Sequence, residues 1–193
     1  MSSTGRQERL RDVFESEYEA VMRYAQRRTL QLADAEDVVA ETFVVAWRRL
    51  DDMPAPGERL YWLYGIARRV LANNRRGVER RSRLQAKARS LPAPPMQGGS
   101  VLPDVLTAMQ RLSNDDQEIL RLVAWEGLSH AEVGVALGIS TNAVGIRLHR
   151  ARARLGVALH SPEVRHVKGF QRVRTFLGWK GSATRRSQRE EVP

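Results

Sequence analysis

Cysteine is absent from this chain of 193 residues, and histidine occurs only four times. Without cysteine the chain has no disulfides and no thiolate metal ligands, and this composition suits a reducing compartment. His130, His149, His160 and His166 do not pair with carboxylates on a predicted helix face. We therefore expect neither a metal site nor another cofactor.

Long apolar runs are also missing. No stretch reaches the roughly 18 apolar residues that a membrane-spanning helix needs. The first residues are polar and charged, which excludes a secretory signal peptide. These absences predict a cytoplasmic protein.

Charge of one sign is in excess, since 32 Lys and Arg face 22 Asp and Glu and give a net charge of +10. Such an excess favours a polyanionic partner, most simply nucleic acid, although a membrane surface also attracts basic charge. The segment 128–155 has its acidic residue early and its arginines late, which a general polyanion binder does not need.

Alternating strand patterns are absent as well, whereas apolar residues recur at intervals of three and four. This spacing predicts helices from Leu10 to about Thr29, from Asp34 to about Leu50, and from about Glu58 to Asn74. Asp51 to Gly57, with two prolines, interrupts the pattern. The basic run from Arg75 to Arg89 is predicted to be helical for part of its length.

Composition divides the chain. Leu91 to Pro103 contains four prolines and two glycines, which favours an extended linker over a regular helix. We predict an all-α protein with two small helical domains, at 1–84 and 103–159, joined by a flexible linker at 85–102. The pattern of residues 160–193 predicts a basic amphipathic helix followed by a disordered segment. The alternative is a solvated tail throughout.

The segment 128–155, LSHAEVGVALGISTNAVGIRLHRARARL, has the pattern of a helix-turn-helix. Ser129 and Glu132 form a capping box, Gly138 suits a left-handed helix end, and Ser140 suits an N-cap. Arginines at helical spacing follow on the second helix. This layout predicts a helix that enters the DNA major groove, while the alternative is a helical hairpin with a solvated basic face.

Aromatic residues and arginines alternate from Tyr61 to Arg76. Aromatic rings stack on unpaired bases and arginines neutralise phosphates, so this helix suits single-stranded or opened DNA. The alternative is that Trp62 and Tyr64 fill the core, which we expect of one of the two.

An acidic segment precedes it, from Asp34 to Phe43. Asp37 and Glu41 lie four apart and share a helix face, but no histidine, glycine loop or third carboxylate accompanies them. A solvated face or a docking face for a basic partner is therefore a better interpretation than catalysis. We expect a protein that is not an enzyme and has no small-molecule substrate.

The chain resembles bacterial RNA polymerase sigma factors in the order of its parts. These parts are the acidic helix, the WLYGIARRVLANNRR helix, the linker and the LSHAEVGVALGIS helix-turn-helix. The compact two-domain form is similar to the extracytoplasmic-function group. The resemblance covers roughly residues 10–159. It implies that the chain binds polymerase core and directs promoter-specific initiation, and that an anti-sigma factor regulates it.

The resemblance assigns three sets of residues. Those that would face the clamp helices of the largest polymerase subunit are Asp34, Asp37, Glu41 and Trp47. Those that would recognise and open the −10 promoter element are Trp62, Arg68, Arg69, Asn73, Asn74, Arg75 and Arg76. Those that would read the −35 element as duplex are Thr141, Asn142, Ala143, Arg147, Arg150 and Arg154.

The alternative function is a helix-turn-helix regulator that is not a polymerase subunit. That reading explains the segment 128–155 but leaves the acidic segment and the aromatic–arginine helix without a role. An enzyme acting on nucleic acid is a further alternative, and it lacks a credible catalytic cluster. The sequence therefore favours a protein that recognises a promoter through two separate DNA contacts.

Overall fold

The computed structural model describes the backbone of residues 3–86 and 101–159, with side chains over 4–77 and 105–159. Every regular element in these stretches is helical, as the all-α prediction requires. The predicted amphipathic helix within 160–193 lies outside the described residues. The described residues form two compact units, one of 3–86 with 128–145 and the other of 101–127 with 146–159.

Three long helices build the first unit. They are α1 (Ser3–Gln26), α2 (Leu32–Arg48) and α3 (Arg59–Ala86). Each contacts the other two, because each presents one apolar face to a shared core. The largest fully buried side chains of this core include Tyr24, Leu63 and Ile66.

The predicted break at Asp51–Gly57 contains two short 3₁₀ turns, Leu50–Asp52 and Pro56–Glu58. Arg6 near the start of α1 holds the first turn through two hydrogen bonds to the Asp51 carboxylate, at 2.7 and 2.8 Å. The Arg6 guanidinium also holds the pKa of Asp51 below its usual value, chiefly through hydrogen bonding. These contacts fix the path of the chain between α2 and α3.

The second unit contains α4 (Val101–Gln110), α5 (Asn114–Ala124) and the later part of α7 (Thr141–Leu159). Ser113 caps α5, as its hydroxyl oxygen accepts a hydrogen bond from the backbone N–H of Asp116 at 3.2 Å. Apolar side chains from these helices are buried together within the unit. They include Ala108, Met109, Ile119, Leu120, Leu122, Leu148, Ala151 and Leu155.

Two predicted boundaries differ from the structure. The linker was expected to cover 85–102, yet α3 continues to Ala86 and α4 already begins at Val101. Pro103 is therefore inside α4, in its first turn. Proline is tolerated there because the first four backbone N–H groups of a helix have no partner within it.

The remaining helix, α6 (His130–Leu137), packs against α3 within the first unit. None of the helices in the described stretches combines the length and the apolar character needed to cross a membrane. Over the same residues, no group of three or more His, Cys, Asp or Glu is arranged to hold a metal ion.

Candidate nucleic-acid interface

The turn between α6 and α7 is built by local hydrogen bonds. The backbone N–H of Ser129 donates to Glu132 Oε2 at 2.7 Å, and the Ser129 hydroxyl oxygen accepts from the Glu132 N–H at 3.4 Å. This reciprocal pair is the predicted capping box. Gly138 has φ of 66° and ends α6 in the left-handed conformation, which glycine adopts without steric cost.

The start of α7 is capped by Ser140, whose hydroxyl oxygen accepts a hydrogen bond from the Ala143 N–H at 3.2 Å. Close packing of the turn depends on Gly134. A Cβ at this position would lie 2.9 Å from the Ile139 carbonyl oxygen. The chain can therefore turn back tightly from α6 into α7 only because residue 134 lacks a side chain.

One side of α7 is buried and another is open to solvent. Val144 and Leu148 are almost fully buried, as their spacing predicts. Thr141 and Asn142 are exposed at the start of the helix, Ala143 is half-buried, and Arg147 and Arg150 are exposed further along. The structure gives neither of these two arginines an ion pair within the described residues.

Arg154 differs from the other two arginines. Its guanidinium donates two hydrogen bonds to the Asp116 carboxylate, at 2.9 and 2.8 Å. Asp116 is buried, whereas 60% of the Arg154 side chain remains exposed. The predicted DNA contact of Arg154 would thus compete with an ion pair that ties α7 to α5.

The aromatic–arginine helix is the N-terminal part of α3, and its two central aromatic residues have different roles. Tyr64 is buried and stacks on Tyr24, with ring centroids 4.6 Å apart and planes 15° from parallel. Trp62 is only half-buried. One of the two aromatics therefore fills the core, as expected, and the other keeps part of its ring accessible.

The polar residues predicted to contact opened DNA follow along the same helix. Arg68 is half-buried, and Arg69 is exposed. Beginning one turn after Arg69, four further residues of this set are exposed: Asn73, Asn74, Arg75 and Arg76. Arg76 donates a hydrogen bond to the Asn73 side-chain oxygen. The resulting surface carries several cationic and amide groups next to a partly accessible indole ring.

The acidic residues of α2 occupy its solvent side. Asp34, Asp37 and Glu41 are all exposed. Ala35, Val38 and Phe43 alternate with them and are buried against the rest of the first unit. Asp34 is in the first turn of α2, where the helix dipole favours a carboxylate.

Trp47, near the end of α2, lies in a shallow apolar groove rather than beside the carboxylates. The Arg6 guanidinium lies 5.5 Å from the centre of its ring. The groove has a volume of about 360 Å³, and its lining residues are Gln7, Leu10, Arg11, Phe14 and Trp47. The helix predicted from Leu10 to about Thr29 did not indicate this groove, in which the Phe14 side chain remains 43% exposed.

Two family profiles match the chain over the regions that carry these sites. The profile described as Sigma-70 region 2 matches residues 13–81, and the one described as Sigma-70, region 4 matches residues 103–155. The first range contains the acidic face and the aromatic–arginine helix. The second contains the helix-turn-helix.

Two curated relatives match over about three quarters of their own length. The RNA polymerase sigma factor NccH of Alcaligenes xylosoxydans xylosoxydans is 32% identical over 142 residues, which are 68% of this chain and 76% of the relative. The RNA polymerase sigma factor CnrH of Cupriavidus metallidurans is 34% identical over 140 residues, 65% of this chain and 73% of the relative.

Solved structures with the same fold include the sigma factor RpoE in complex with the anti-sigma factor NepR from Bartonella quintana. Its TM-score is 0.57 at 25% identity, and the match covers 79% of this chain and 97% of that one. CnrH in complex with the cytosolic domain of CnrY matches with a TM-score of 0.54 at 27% identity, over 81% and 90% of the two chains. With both regions in order and relatives above 30% identity, the chain belongs to the RNA polymerase sigma factors, in their two-domain, extracytoplasmic-function group.

Proposed function

We propose that this chain binds RNA polymerase core in the cytoplasm and directs it to promoters through two separate DNA contacts. In this division of labour, residues 103–159 read the −35 element as duplex, and residues 1–84 dock on the core and capture the opened −10 element. The observation that carries the proposal is the two-sided α7, which buries Val144 and Leu148 and leaves Arg147 and Arg150 exposed.

Duplex reading is assigned to the open side of α7. Recognition helices of this kind contact base edges with residues near their N-terminus, and Thr141 and Asn142 are exposed there. An arginine can donate two hydrogen bonds to the major-groove edge of guanine. Arg147 and Arg150 are suited to this contact or to a phosphate contact because no described acidic group engages them.

Strand opening is assigned to α3. Unstacked bases bind on aromatic rings, with about 1–3 kcal/mol per stacked base, and Trp62 offers a partly accessible ring. Arg69, Arg75 and Arg76 are exposed on the same helix and would neutralise the phosphates of the captured strand. Asn73 and Asn74 add hydrogen-bonding groups for base edges.

Core binding is assigned to α2. The exposed carboxylates of Asp34, Asp37 and Glu41 form a negative face that suits a basic surface, here the clamp helices of the largest polymerase subunit. Trp47 and the groove around it would add apolar contact beside the charged face. The chain itself makes and breaks no bond in this proposal, since the polymerase supplies the chemistry.

An anti-sigma factor is the proposed regulator. Two solved structures similar to this chain are sigma factors bound to NepR and to CnrY. A protein that covers the acidic face of α2 or the open side of α7 would block core binding or duplex reading. We infer regulation of this type for the present chain.

Run-off transcription tests the proposed function. Purified core polymerase is mixed with a pool of genomic fragments from the source organism, with and without the full chain. We expect discrete transcripts only when the chain is present, and their start sites define the promoter. A chain that binds fragments but yields no new transcripts with core would be a regulator of another kind, and the proposal would fail.

A further inference from the structure

Ile146 is a large apolar side chain that α7 leaves open to solvent. Its side chain is 46% exposed, and Asn142 and Arg150, which lie about one turn before and one turn after it on the helix, are exposed as well. A single apolar residue on a protein surface needs no explanation by itself. The direction in which this one lies on α7 does distinguish it.

Ile146 lies opposite the packed side of α7. That side is marked by Leu148, Ala151 and Leu155, which are fully or almost fully buried. Since each residue of an α-helix adds about 100° of rotation, Ile146 lies roughly 170° from the mean direction of these three. It therefore occupies the centre of the open side and not its margin.

Polar residues flank Ile146 around the helix. Asn142 and Arg150 lie about 40° to either side of it, whereas Arg147 lies only about 70° from the packed side. In a major groove about 12 Å wide, the centre of the open side comes nearest to the base edges and its margins come nearest to the phosphates. The apolar side chain thus occupies the place where base contacts are made.

The chemistry of isoleucine restricts what it can recognise there. Its side chain has no hydrogen-bond donor or acceptor, so it cannot pair with the nitrogen and oxygen atoms on the base edges. The apolar group that base edges present in the major groove is the C5-methyl of thymine. Removing two such apolar surfaces from water together is favourable. Thymine is therefore the base that fits beneath Ile146.

We propose that Ile146 is a specificity-determining residue that selects thymine in the −35 element through its C5-methyl group. The inference deepens the proposed function and rests on it, because Ile146 meets base edges only if α7 enters the groove of that element. Cytosine at the same place has no methyl and presents an amino donor. That donor would lose its water without gaining a partner, which is unfavourable.

Deoxyuridine gives the sharpest test, because it removes the methyl of thymine and keeps the base pair. Each thymine of the −35 element found by run-off transcription is replaced in turn on a linear promoter duplex. Fluorescence anisotropy then measures binding by the holoenzyme. We expect at least one position at which the replacement weakens binding about fourfold, the change that corresponds to one buried carbon atom.

Ile146→Ala removes the protein side of the same contact. The fold should be retained, because residue 146 is exposed and alanine favours a helix more than isoleucine does. At the sensitive position this variant should bind the thymine and deoxyuridine duplexes equally, and both about fourfold or more below the affinity of the wild-type chain for thymine. A methyl effect that persists in Ile146→Ala would come from the shape of the DNA and would overturn the proposal.

Val157→Ala is the matched control. Val157 is 76% exposed and lies on the same side of α7 as Ile146, within about 20°. It is about 16 Å further along the helix axis, away from the N-terminal residues with which a recognition helix contacts base edges. This variant should keep both the affinity and the methyl effect of the wild-type chain. Loss of the methyl effect in Val157→Ala would also overturn the proposal.

Returning the methyl group to a different base completes the test. At the sensitive position a C·G pair replaces T·A, and 5-methylcytosine then replaces cytosine. We expect the wild-type holoenzyme to bind the methylated duplex about fourfold more tightly, and the Ile146→Ala holoenzyme to bind both duplexes equally.

The outcomes separate this inference from the proposed function. A holoenzyme that transcribes from its promoter but shows no methyl effect, or whose −35 element has no thymine, would overturn the role of Ile146 and leave the proposed function standing. Absence of promoter-specific transcripts would reject the proposed function, and the inference with it.

Discussion

The Glu132 side chain takes part both in the capping box of α6 and in a contact with α3. Its carboxylate accepts a hydrogen bond from the backbone N–H of Ser129 in the capping box and another from the Tyr61 hydroxyl. The bond from Tyr61 is the largest reason that the pKa of Glu132 lies below its usual 4.5, followed by the bonds from Ser129. Since the folded pKa is lowered, this stabilisation is present above the usual pKa and is lost as the pH falls through the lowered one.

Tyr61→Phe should raise the pKa of Glu132 towards its usual value, because the strongest hydrogen bond to the carboxylate is gone while the capping box remains. A carboxyl-selective NMR titration of the side chain measures this pKa. Tyr18→Phe, a half-buried tyrosine on α1, should leave it unchanged. An identical Glu132 titration in the wild-type chain and in Tyr61→Phe would show that the bond to Tyr61 is absent in solution.

Contacts between residues that are distant in the chain could not be predicted from the sequence. The spacing of Arg147, Arg150 and Arg154 predicted one basic face, and the structure separates Arg154 from it through Asp116, 38 residues earlier. Helical periodicity places residues on faces of one helix but is silent about which other helix lies opposite. The Tyr61–Glu132 contact was missed for the same reason.

The two glycines of the helix-turn-helix have opposite surroundings. Gly134 in α6 lies against the Ile139 carbonyl, whereas a Cβ on Gly145 in α7 would meet nothing within 4 Å. Glycine in a helix interior costs about 1 kcal/mol relative to alanine. The fold therefore needs glycine at position 134 and only tolerates it at position 145.

Opposite changes in stability should follow from the same substitution at these two sites. Gly145→Ala should raise the free energy of unfolding by about 0.5–1 kcal/mol. Gly134→Ala should lower it by about 1–3 kcal/mol, because the backbone must move to relieve the overlap. Urea unfolding followed by circular dichroism gives both values, and a stabilising Gly134→Ala would contradict the close turn between α6 and α7.

Local patterns predicted most of the elements themselves. The capping residues Ser129 and Ser140 and the left-handed Gly138 were identified from the sequence because each satisfies a requirement of the helix end beside it. The ends of the linker were less accurate, since Pro103 looks like a helix breaker and is in fact compatible with the first turn of α4. The groove around Trp47 was not predictable, because it forms only when α1 and α2 pack together.

In the proposed −35 contact, the decisive groups are Arg147 and Arg150, which have no ion pair among the described residues. Arg147→Ala or Arg150→Ala should weaken promoter binding by the holoenzyme by about 1–3 kcal/mol if the arginine contacts a base. Arg23→Ala removes the same charge from α1, where Arg23 pairs with Glu19 at 3.3 Å, and should have little effect. Full promoter affinity in both α7 variants, measured by fluorescence anisotropy, would remove the −35 assignment.

The proposed polymerase contact depends on charge of the opposite sign. Asp37→Arg places a cation on the negative face of α2, and like charges facing each other across an interface disfavour the complex. We expect roughly tenfold weaker core binding, about 1.4 kcal/mol, with the fold intact because the Asp37 side chain is exposed. Both core affinity, by pull-down titration, and thermal unfolding need to be measured.

Glu36→Arg separates a specific docking face from bulk charge. It changes the net charge by the same amount at the adjacent exposed position, about 100° further round the helix, so it does not present its cation on the face shared by Asp37 and Glu41. If the docking face is specific, Glu36→Arg should retain the core affinity of the wild-type chain, while Asp37→Arg should show the roughly tenfold loss. Equal losses would mean that core senses only the overall charge of α2, and undiminished binding of both variants would place the polymerase contact elsewhere on the chain.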